Sequence, residues 1–466
     1  MTDEAYKEAK EQFYRGHSGG SSLEIITITT VTAVSIFLVQ ILILAKAIDL
    51  RRPIGVIGSA ISVILPVHIS FTSPESSAML IAGMAANSLL IALASGVRLR
   101  SANLAWQDVA TTLNAPIKPF VNTYRGSMMI ATCIAILAVD FQNFPRRLAK
   151  TETFGVSVMD AGVGSVLFAQ AMVSPLARKP KAATAKRMGA ALLSSSPLLL
   201  LGSVRLIGTR AADYHEHVTE YGVHWNFFFT LSVVSVLGNM IPLSSATAAL
   251  AALLIIVDYE VLLQTTELQA FILSAPRTDL LSANREGLLG CVGYSSIFFA
   301  GVVLGRTLFE KTRTGKEWAA YCGVLGVMAA ALWVLLAVMD ANGYQVSRRL
   351  VNLSYVLWTL AYNTLVLAMF LAVEIAVHFL QSARGESIGQ RRTEGGAGSD
   401  LLCEAFNRNL LAVFLAGNLM TGAVNLWLPT LTASHMQAFG IVGLYELLLV
   451  TLALVLHRRR ITLKFW

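Results

Sequence analysis

The sequence carries very little charge for its length. Only 14% of its 466 residues are Asp, Glu, Lys or Arg, whereas soluble domains usually carry about 25%. So few charged side chains cannot cover a chain of this size in water. A soluble globular protein is therefore excluded, and lipid is the expected solvent of the outer surface. Because lipid offers no hydrogen bonds to exposed backbone groups, only helices or a closed β-barrel can span it.

The sequence also lacks the short alternating segments of a β-barrel. Its apolar runs are about 18–25 residues long, which is the length of a membrane-crossing helix rather than the roughly ten residues of a barrel strand. We therefore predict an all-α, polytopic helical bundle of about thirteen spans, forming one membrane-embedded domain over residues 1–466. The eighth predicted span is short, and the eleventh is long enough for one tilted helix or two shorter pieces. The predicted limits are 24–46, 53–70, 78–97, 126–140, 155–176, 188–208, 224–241, 244–257, 288–305, 318–339, 350–380, 408–426 and 436–456.

Cysteine is scarce, and the common catalytic signatures are missing. The four cysteines lie in or beside apolar runs, with neither metal-ligand spacing nor a disulfide framework, so we predict that they are packing residues. No P-loop, HExxH or post-strand GxGxxG motif is present, and no His is followed five residues later by Asp, as in glycerolipid acyltransferases. Residues 16–20 fit GxSxG, but without the strand that a nucleophile elbow requires. No metal and no permanently bound cofactor is predicted.

The distribution of positive charge predicts the orientation in the membrane. Lys and Arg are roughly twice as numerous in the loops after odd-numbered predicted spans and in the C-terminal tail as in the other loops, and such an excess marks the cytoplasmic side. The tail 457–466 is then cytoplasmic, and so is the loop 382–402, which is rich in Gly, Ser, Arg and Gln and predicted to be flexible. The N-terminal segment 1–23 and the loop 140–150 are then lumenal. The first apolar run is too long for a signal peptide and is expected to be retained as a span.

Charged residues are concentrated in the loop between the fourth and fifth predicted spans. Asp140 closes one span, and the Phe-Pro pair at 144–145 breaks the helix. Three cationic side chains follow, and Asp160 lies in the first turns of the next predicted span. Ionisable groups at the membrane interface are costly and are usually paired or functional. On the residues alone, an ordinary cluster of ion pairs at the membrane interface also explains why charges are concentrated in this loop. The three cations are Arg146, Arg147 and Lys150.

Three more polar stretches adjoin predicted spans. His224 and Asn226 precede the seventh span, and Asn284 and Arg285 precede the ninth. A paired histidine at the membrane interface is the simpler interpretation of the first stretch. In the twelfth span, the asparagines at 418 and 425 are seven residues apart and share one helix face. Hydrogen bonding between helices is their default interpretation.

Several of these stretches together resemble one known family. The run from Phe144 to Asp160, followed by Gly162–Ser165, resembles the signature of the glycosylphosphatidylinositol (GPI) inositol acyltransferases, which are the PIG-W proteins and their fungal wall-transfer relatives. The resemblance extends over nearly the whole chain and includes its length and span count. Further segments similar to family blocks, in family order, are Gly16–Glu24, Glu220–Leu231, Ser282–Gly287 and Gly417–Leu426.

The resemblance implies a reaction and a set of site residues. Family members move a fatty acyl group, usually palmitoyl, from acyl-CoA to the inositol 2-hydroxyl of glucosaminyl-phosphatidylinositol in the endoplasmic reticulum membrane. The essential acid and lysine of the family map onto Asp140 and Lys150. Asp140 is then the expected general base, with His224 as the alternative. Lys150 either stabilises the oxyanion or keeps Asp140 ionised. The expected substrate-binding residues are Arg146, Arg147, Asp160, His224, Asn226, Asn284, Arg285 and Asn418.

Two other classes of function compete with this interpretation. A polytopic transporter of lipids or small molecules fits the composition, but it is expected to show related halves built as repeats, and the sequence shows none. A non-catalytic scaffold gives no reason for an acid and a lysine ten residues apart at one interface. Nucleic acid is not an expected partner, because no basic stripe with interleaved aromatic residues is present. The expected partners are acyl-CoA, the lipid acceptor and membrane lipids.

Overall fold

The fold is a bundle of membrane-length helices. The computed structural model describes residues 3–94, 102–178, 184–211, 218–240, 244–383 and 400–463. Within these ranges, eleven helices are long and apolar enough to cross a membrane, and the one β-type pairing is an isolated bridge between Gly20 and Val156. The prediction of an all-α, polytopic membrane protein is confirmed.

Twenty α-helices are numbered here in chain order. The first ten are α1 (Asp3–Phe13), α2 (Ser22–Leu44), α3 (Pro53–Thr72), α4 (Ser77–Ala94), α5 (Ala102–Leu113), α6 (Pro119–Ala138), α7 (Ala161–Met172), α8 (Pro175–Arg178), α9 (Thr184–Ala211) and α10 (Val218–Tyr221). The others are α11 (Phe227–Met240), α12 (Ser245–Thr265), α13 (Leu268–Ser274), α14 (Leu280–Ala283), α15 (Arg285–Phe309), α16 (Gly315–Ala341), α17 (Leu353–Ala383), α18 (Leu401–Arg408), α19 (Leu410–Trp427) and α20 (His435–Arg458). Short 3₁₀ turns occur at Pro74–Ser76, Arg146–Leu148 and Thr430–Thr432.

Every predicted span coincides with a helix, but two of these helices are short. Helices α7 and α11 have 12 and 14 residues, fewer than the roughly 20 that a perpendicular span requires. The count of thirteen spans therefore stays a prediction. The eighth span was predicted to be short, and this was wrong, because α12 has 21 residues. The long eleventh span is one continuous helix of 31 residues.

Two predicted topological features are only partly described. Most of the predicted flexible loop 382–402 lies outside the described residues, although α18 already begins at Leu401. The predicted tail is described as far as Leu463, whose backbone N–H donates to Asn409 Oδ1 at 2.8 Å. The lumenal and cytoplasmic assignments of the two ends stay predictions.

Local sequence signals explain where the helices begin. Pro53 and Pro119 occupy the first turns of α3 and α6, where the missing N–H of proline costs nothing. Thr314 caps α16 through a reciprocal capping box with Glu317, which satisfies two otherwise unpaired backbone donors. These signals fix where α3, α6 and α16 begin.

The helices divide into a buried centre and a lipid-facing exterior. Helices α6 and α15 bury most of their length inside the protein, whereas α4, α9 and α16 leave most of their apolar surface outside. An outer surface of exposed Leu, Ile and Val is what contact with lipid requires. Helix α6 therefore runs through the interior, and Asp140, two residues after its end, lies in a buried position.

A glycine allows α6 to approach its neighbour closely. A Cβ atom at Gly126 would lie 2.2 Å from the Cys403 carbonyl oxygen in α18, so any larger residue would collide with backbone. Small residues at such crossings let helix backbones pack together in membranes. The position of α6, and of the loop after it, depends on this contact.

The crossing of α6 and α18 gives a testable prediction. We expect Gly126→Ala to lower the free energy of unfolding by about 1–3 kcal/mol, the usual cost of overpacking, measured by thermal unfolding in detergent. Gly58→Ala in α3 is the matched control, because a Cβ at Gly58 meets no atom within 4 Å, and it should be neutral or slightly stabilising. Equal melting temperatures for the two variants would contradict this account of the crossing.

Candidate active site

A cavity of about 1660 Å³ lies inside the bundle, and α6 forms part of its wall. The lining includes Arg125, near the start of α6, and Asp140, just after its end. Because an α-helix rises about 1.5 Å per residue, this separation corresponds to about 22 Å. The cavity therefore extends along most of one membrane span. Apolar side chains line its middle part, among them Met128, Met129, Ile136, Leu198, Phe228 and Phe414.

Asp140 lies in this wall with only 6% of its surface exposed. Its two carboxylate oxygens accept hydrogen bonds from the Tyr14 hydroxyl and from Asn425 Nδ2, the latter at 2.5 Å. Burial raises the pKa of the Asp140 carboxyl, while these two hydrogen bonds and the charges of Lys10 and Arg146 act in the opposite direction. A carboxylate with a raised pKa is a stronger base, which suits the predicted role.

Lys150 also lines the cavity, where it forms an ion pair with Glu220. Lys150 Nζ donates to Glu220 Oε1 at 2.6 Å, and Arg348 Nη1 lies 3.9 Å from the same oxygen. Burial would raise the pKa of Glu220, but Lys150 and Arg348 outweigh it and hold the pKa at about 2. Glu220 is therefore ionised near neutral pH and keeps the ammonium group of Lys150 at the wall of the cavity.

Arg146 holds the loop between α6 and α7 together. Its Nη2 donates to the backbone carbonyls of Val139, Phe141 and Phe144 at 2.9, 3.2 and 2.8 Å, and its guanidinium carbon lies 3.9 Å from the centre of the Phe13 ring. Arg146 is not among the residues that line the cavity. The described contacts of Arg146 are with its own loop and Phe13, and its binding of substrate stays a prediction.

Asp160 lies behind the wall of the cavity, not in it. It accepts from Arg348 Nε at 2.7 Å, Ser157 Oγ at 2.8 Å and Thr151 Oγ1 at 2.9 Å. Burial raises the pKa of the Asp160 carboxyl, and the charge of Arg348 opposes the rise. These bonds join the loop before α7 to the segment before α17. They support the region of Lys150, and the predicted contact of Asp160 with substrate stays a prediction.

Two of the other predicted residues face the cavity. Asn226 lines it and caps α11, accepting from the Phe228 N–H at 3.1 Å and donating to the Gly202 carbonyl at 2.9 Å. Asn418 lines it from α19 and donates to the Phe414 carbonyl at 2.8 Å.

The remaining predicted residues do not line the cavity, although Val223 and Trp225, on either side of His224, do. Arg147 forms an ion pair with Glu24 at 2.9 Å. The His224 backbone N–H donates to Asn284 Oδ1 at 2.7 Å, and Arg285 Nε donates to the Ile272 carbonyl at 2.9 Å. In the part of the chain that the structure describes, the cavity lining does not include any of these four residues, Arg147, His224, Asn284 and Arg285. The lining thus includes Asp140, but not His224, the alternative base.

Four further residues of the site were not predicted as site residues from the sequence: Lys10, Tyr14, Arg348 and Asn425. Asn425 was noted as a helix-packing residue, but it contacts Asp140 directly. Lys10 and Tyr14 come from the polar N-terminal segment, and Arg348 binds Asp160 from 188 residues away. Only Asn425 carried a usable signal, because it shares a helix face with Asn418. The others depend on tertiary contacts that no local pattern encodes.

The fold and the site define a class of protein. It is a polytopic all-α membrane protein with a buried carboxylate and a paired lysine on the wall of a long internal cavity, and no group of three metal-ligating side chains occurs among the described residues. The chain belongs to the GWT1 family, whose model matches residues 6–456.

Curated relatives match the chain along nearly its whole length. It is 38% identical to GPI-anchored wall transfer protein 1 of Gibberella zeae, with 100% of both chains covered. It is 37% identical to the protein of the same name from Aspergillus fumigatus, with 98% of this chain and 99% of that one covered. It is 30% identical to the phosphatidylinositol-glycan biosynthesis class W protein of Dictyostelium discoideum, again over 100% of both.

The buried ion pair behind the cavity gives a prediction for stability. Arg348→Met leaves the Asp160 carboxylate buried without its cation, which typically costs about 3–5 kcal/mol. Arg147→Met is the matched control, because that ion pair is half exposed and such pairs contribute about 0–1 kcal/mol. Thermal unfolding in detergent measures both. A loss for Arg348→Met no larger than for Arg147→Met would show that the pair is not structural.

Proposed function

We propose that this protein is an acyl-CoA-dependent O-acyltransferase of GPI-anchor biosynthesis. It transfers a fatty acyl group, palmitoyl in the resemblance that we described, to the inositol 2-hydroxyl of glucosaminyl-phosphatidylinositol in the endoplasmic reticulum membrane. The names of the relatives support the pathway, since they refer to GPI anchoring and to phosphatidylinositol-glycan biosynthesis. The observation that carries the proposal is the buried Asp140 carboxylate at one end of a cavity as long as a membrane span.

The cavity has the size and lining that an acyl-CoA requires. Drug-sized ligands occupy cavities of about 300–1,000 Å³, and this one is larger, at about 1660 Å³. Arg125 lines the end opposite Asp140, and Arg408 lines the cavity from α18, the helix that crosses α6 at Gly126. Arginine is well suited to bind the phosphates of CoA. The pantetheine arm must then run along the cavity for the thioester to reach Asp140. The acyl chain packs against the apolar wall beside it.

The chemistry needs a base, because a secondary hydroxyl is a poor nucleophile. Asp140 takes the proton of the inositol 2-hydroxyl as the oxygen attacks the thioester carbonyl. The C–O bond forms, the C–S bond breaks, and CoA leaves as a thiolate. No strong acid is required for this departure, because the pKa of a thiol, about 8.5, is already low. The proton finally passes to the thiolate or to water.

Lys150 is the proposed stabiliser of the negative charge on the thioester oxygen. A cation placed before the reaction at the site of a developing oxyanion lowers the barrier without reorganisation. Lys150 pairs with Glu220, whereas the Asp140 oxygens accept hydrogen bonds from Tyr14 and Asn425. These contacts favour oxyanion stabilisation over a role of Lys150 as the charge partner of Asp140. The hydrogen bond from Lys150 Nζ to Glu220 Oε1, at 2.6 Å, holds the Lys150 side chain in place.

Substitution of the two candidate bases tests the assignment. We expect Asp140→Asn to fold normally and to lose about 10²–10⁴ in turnover, the usual contribution of a general base. His224→Ala should retain most activity, because His224 does not line the cavity. Acylation of glucosaminyl-phosphatidylinositol in microsomes measures both. Collapse of His224→Ala with Asp140→Asn tolerated would reverse the roles.

A lipid transporter is the second candidate, since a cavity that follows a whole span could also conduct a substrate. The two candidates differ in covalent chemistry. Purified protein given palmitoyl-CoA and glucosaminyl-phosphatidylinositol should release free CoA only when both are present, and Asp140→Asn should not. Movement of lipid between the leaflets of a vesicle without any release of CoA would favour the transporter and overturn the proposal.

A further inference from the structure

The N-terminal segment contributes one polar face to the wall of the cavity. Tyr6, Lys10, Tyr14 and His17 all line it. Tyr6 and Lys10 are one turn apart on α1, and Tyr14 follows a further turn along, just after the helix ends. Residues spaced by about four share a helix face. The segment before the first span is therefore part of the active-site wall.

Hydrogen bonds from three backbone N–H groups join this segment to the loop that carries Lys150. The Glu152 N–H donates to the His17 carbonyl at 2.9 Å, and the Gly20 N–H donates to the Val156 carbonyl at 2.8 Å. The Gly16 N–H donates to the Glu152 carboxylate at 2.8 Å. Three contacts within a few residues hold the segment against the loop and fix where Tyr14 lies.

Lys10 orients the Asn425 amide, whose oxygen also accepts a longer hydrogen bond, at 3.4 Å, from the Thr430 hydroxyl. Lys10 Nζ donates to Asn425 Oδ1 at 2.8 Å, and Asn425 Nδ2 donates to Asp140 Oδ2. An ammonium group can only donate, so it must face the oxygen of the amide and not its nitrogen. With the oxygen turned to Lys10, the NH₂ group is turned to Asp140. The cation thus orients a neutral donor toward the carboxylate.

We infer that Tyr14 and Asn425 are positioning residues for Asp140, and that Lys10 acts through Asn425. This inference rests on the proposed function, in which Asp140 is the base. The two donors occupy one oxygen each and hold the carboxylate in one orientation. An ionised carboxylate has about four acceptor positions, so positions remain on Asp140 for the inositol hydroxyl.

The same contacts control the protonation of Asp140. Burial favours the neutral acid, whereas hydrogen bonds to the charged form favour the ion. The titratable or charged groups that act on Asp140 are Tyr14 and Lys10 from the N-terminal segment and Arg146 from its own loop, while α19 contributes the neutral Asn425. Removal of the Tyr14 hydroxyl raises the pKa of Asp140 further. The base then becomes protonated at a higher pH than in the wild type.

The test is the pH dependence of acyl transfer by full-length Tyr14→Phe in detergent or nanodiscs. We expect kcat to fall about 10- to 100-fold, the rate equivalent of one hydrogen bond to a charged group. The acidic limb of the pH–rate profile should move to higher pH, with little change in KM for the lipid acceptor. Tyr321→Phe is the matched control, because it removes a hydroxyl that bonds Thr307 on α15, and it should leave the profile unchanged.

A second pair of variants keeps the test decisive if Tyr14→Phe fails to fold. Asn425→Leu removes the second hydrogen-bond donor to Asp140. Lys10→Met removes the cation that orients the Asn425 amide. Both variants should therefore move the acidic limb of the pH–rate profile to higher pH. A wild-type rate and profile for these variants overturns the inference, as does a lower rate with an unmoved limb, which marks a purely structural effect. Wild-type activity in Asp140→Asn, measured alongside, overturns the proposed function and the inference with it.

Discussion

The Asp140 carboxylate is held between Tyr14 and Asn425, and this contact requires three distant parts of the chain to meet. A carboxylate that is almost completely buried has lost most of its water, and the lost hydrogen bonds must be replaced by protein. The N-terminal segment supplies one donor and α19 the other. The loop after α6 is shaped around the Arg146 guanidinium, which binds three backbone carbonyls. The interior of the bundle thus keeps one acidic side chain buried, with protein donors in place of the lost water.

A second group of charges supports the other half of the site. Lys150, Glu220, Arg348 and Asp160 alternate in sign and contact one another in that order. Alternation matters because an unpaired buried charge is far more costly than a paired one. The order places a cation at the wall of the cavity and anchors the group through buried Asp160. The acid and the lysine of the site are therefore fixed by separate sets of contacts, although they lie only ten residues apart.

Membrane architecture was largely predictable because lipid imposes a simple rule on length and apolarity. The predicted spans all coincide with helices, and the clearest error has a physical cause. The eighth span was predicted to end at residue 257, and Asp258 and Glu260 follow directly. Glu260 is in fact buried within α12 and accepts from the Leu353 N–H at 2.9 Å. A partner distant in the sequence makes a charged residue tolerable in a helix, and a hydropathy pattern cannot show this.

The candidate site was predictable only in part, for the same reason. The acid and the lysine came from a family resemblance, and both line the cavity. The resemblance could not separate residues that face the cavity from those that support it, such as Arg146 and Asp160. Nor could it reveal Tyr14 and Lys10, whose contacts with Asp140 and Asn425 span 126 and 415 residues of sequence.

The most direct measurement is an experimental structure of the protein with palmitoyl-CoA bound in the absence of acceptor. The account predicts the thioester carbonyl next to Lys150 and Asp140, with the coenzyme phosphates near Arg125 and Arg408 and the acyl chain within the apolar part of the cavity. Palmitoyl-CoA bound outside the cavity, or with its thioester at the Arg125 end and away from Asp140, would contradict acyl transfer at this site.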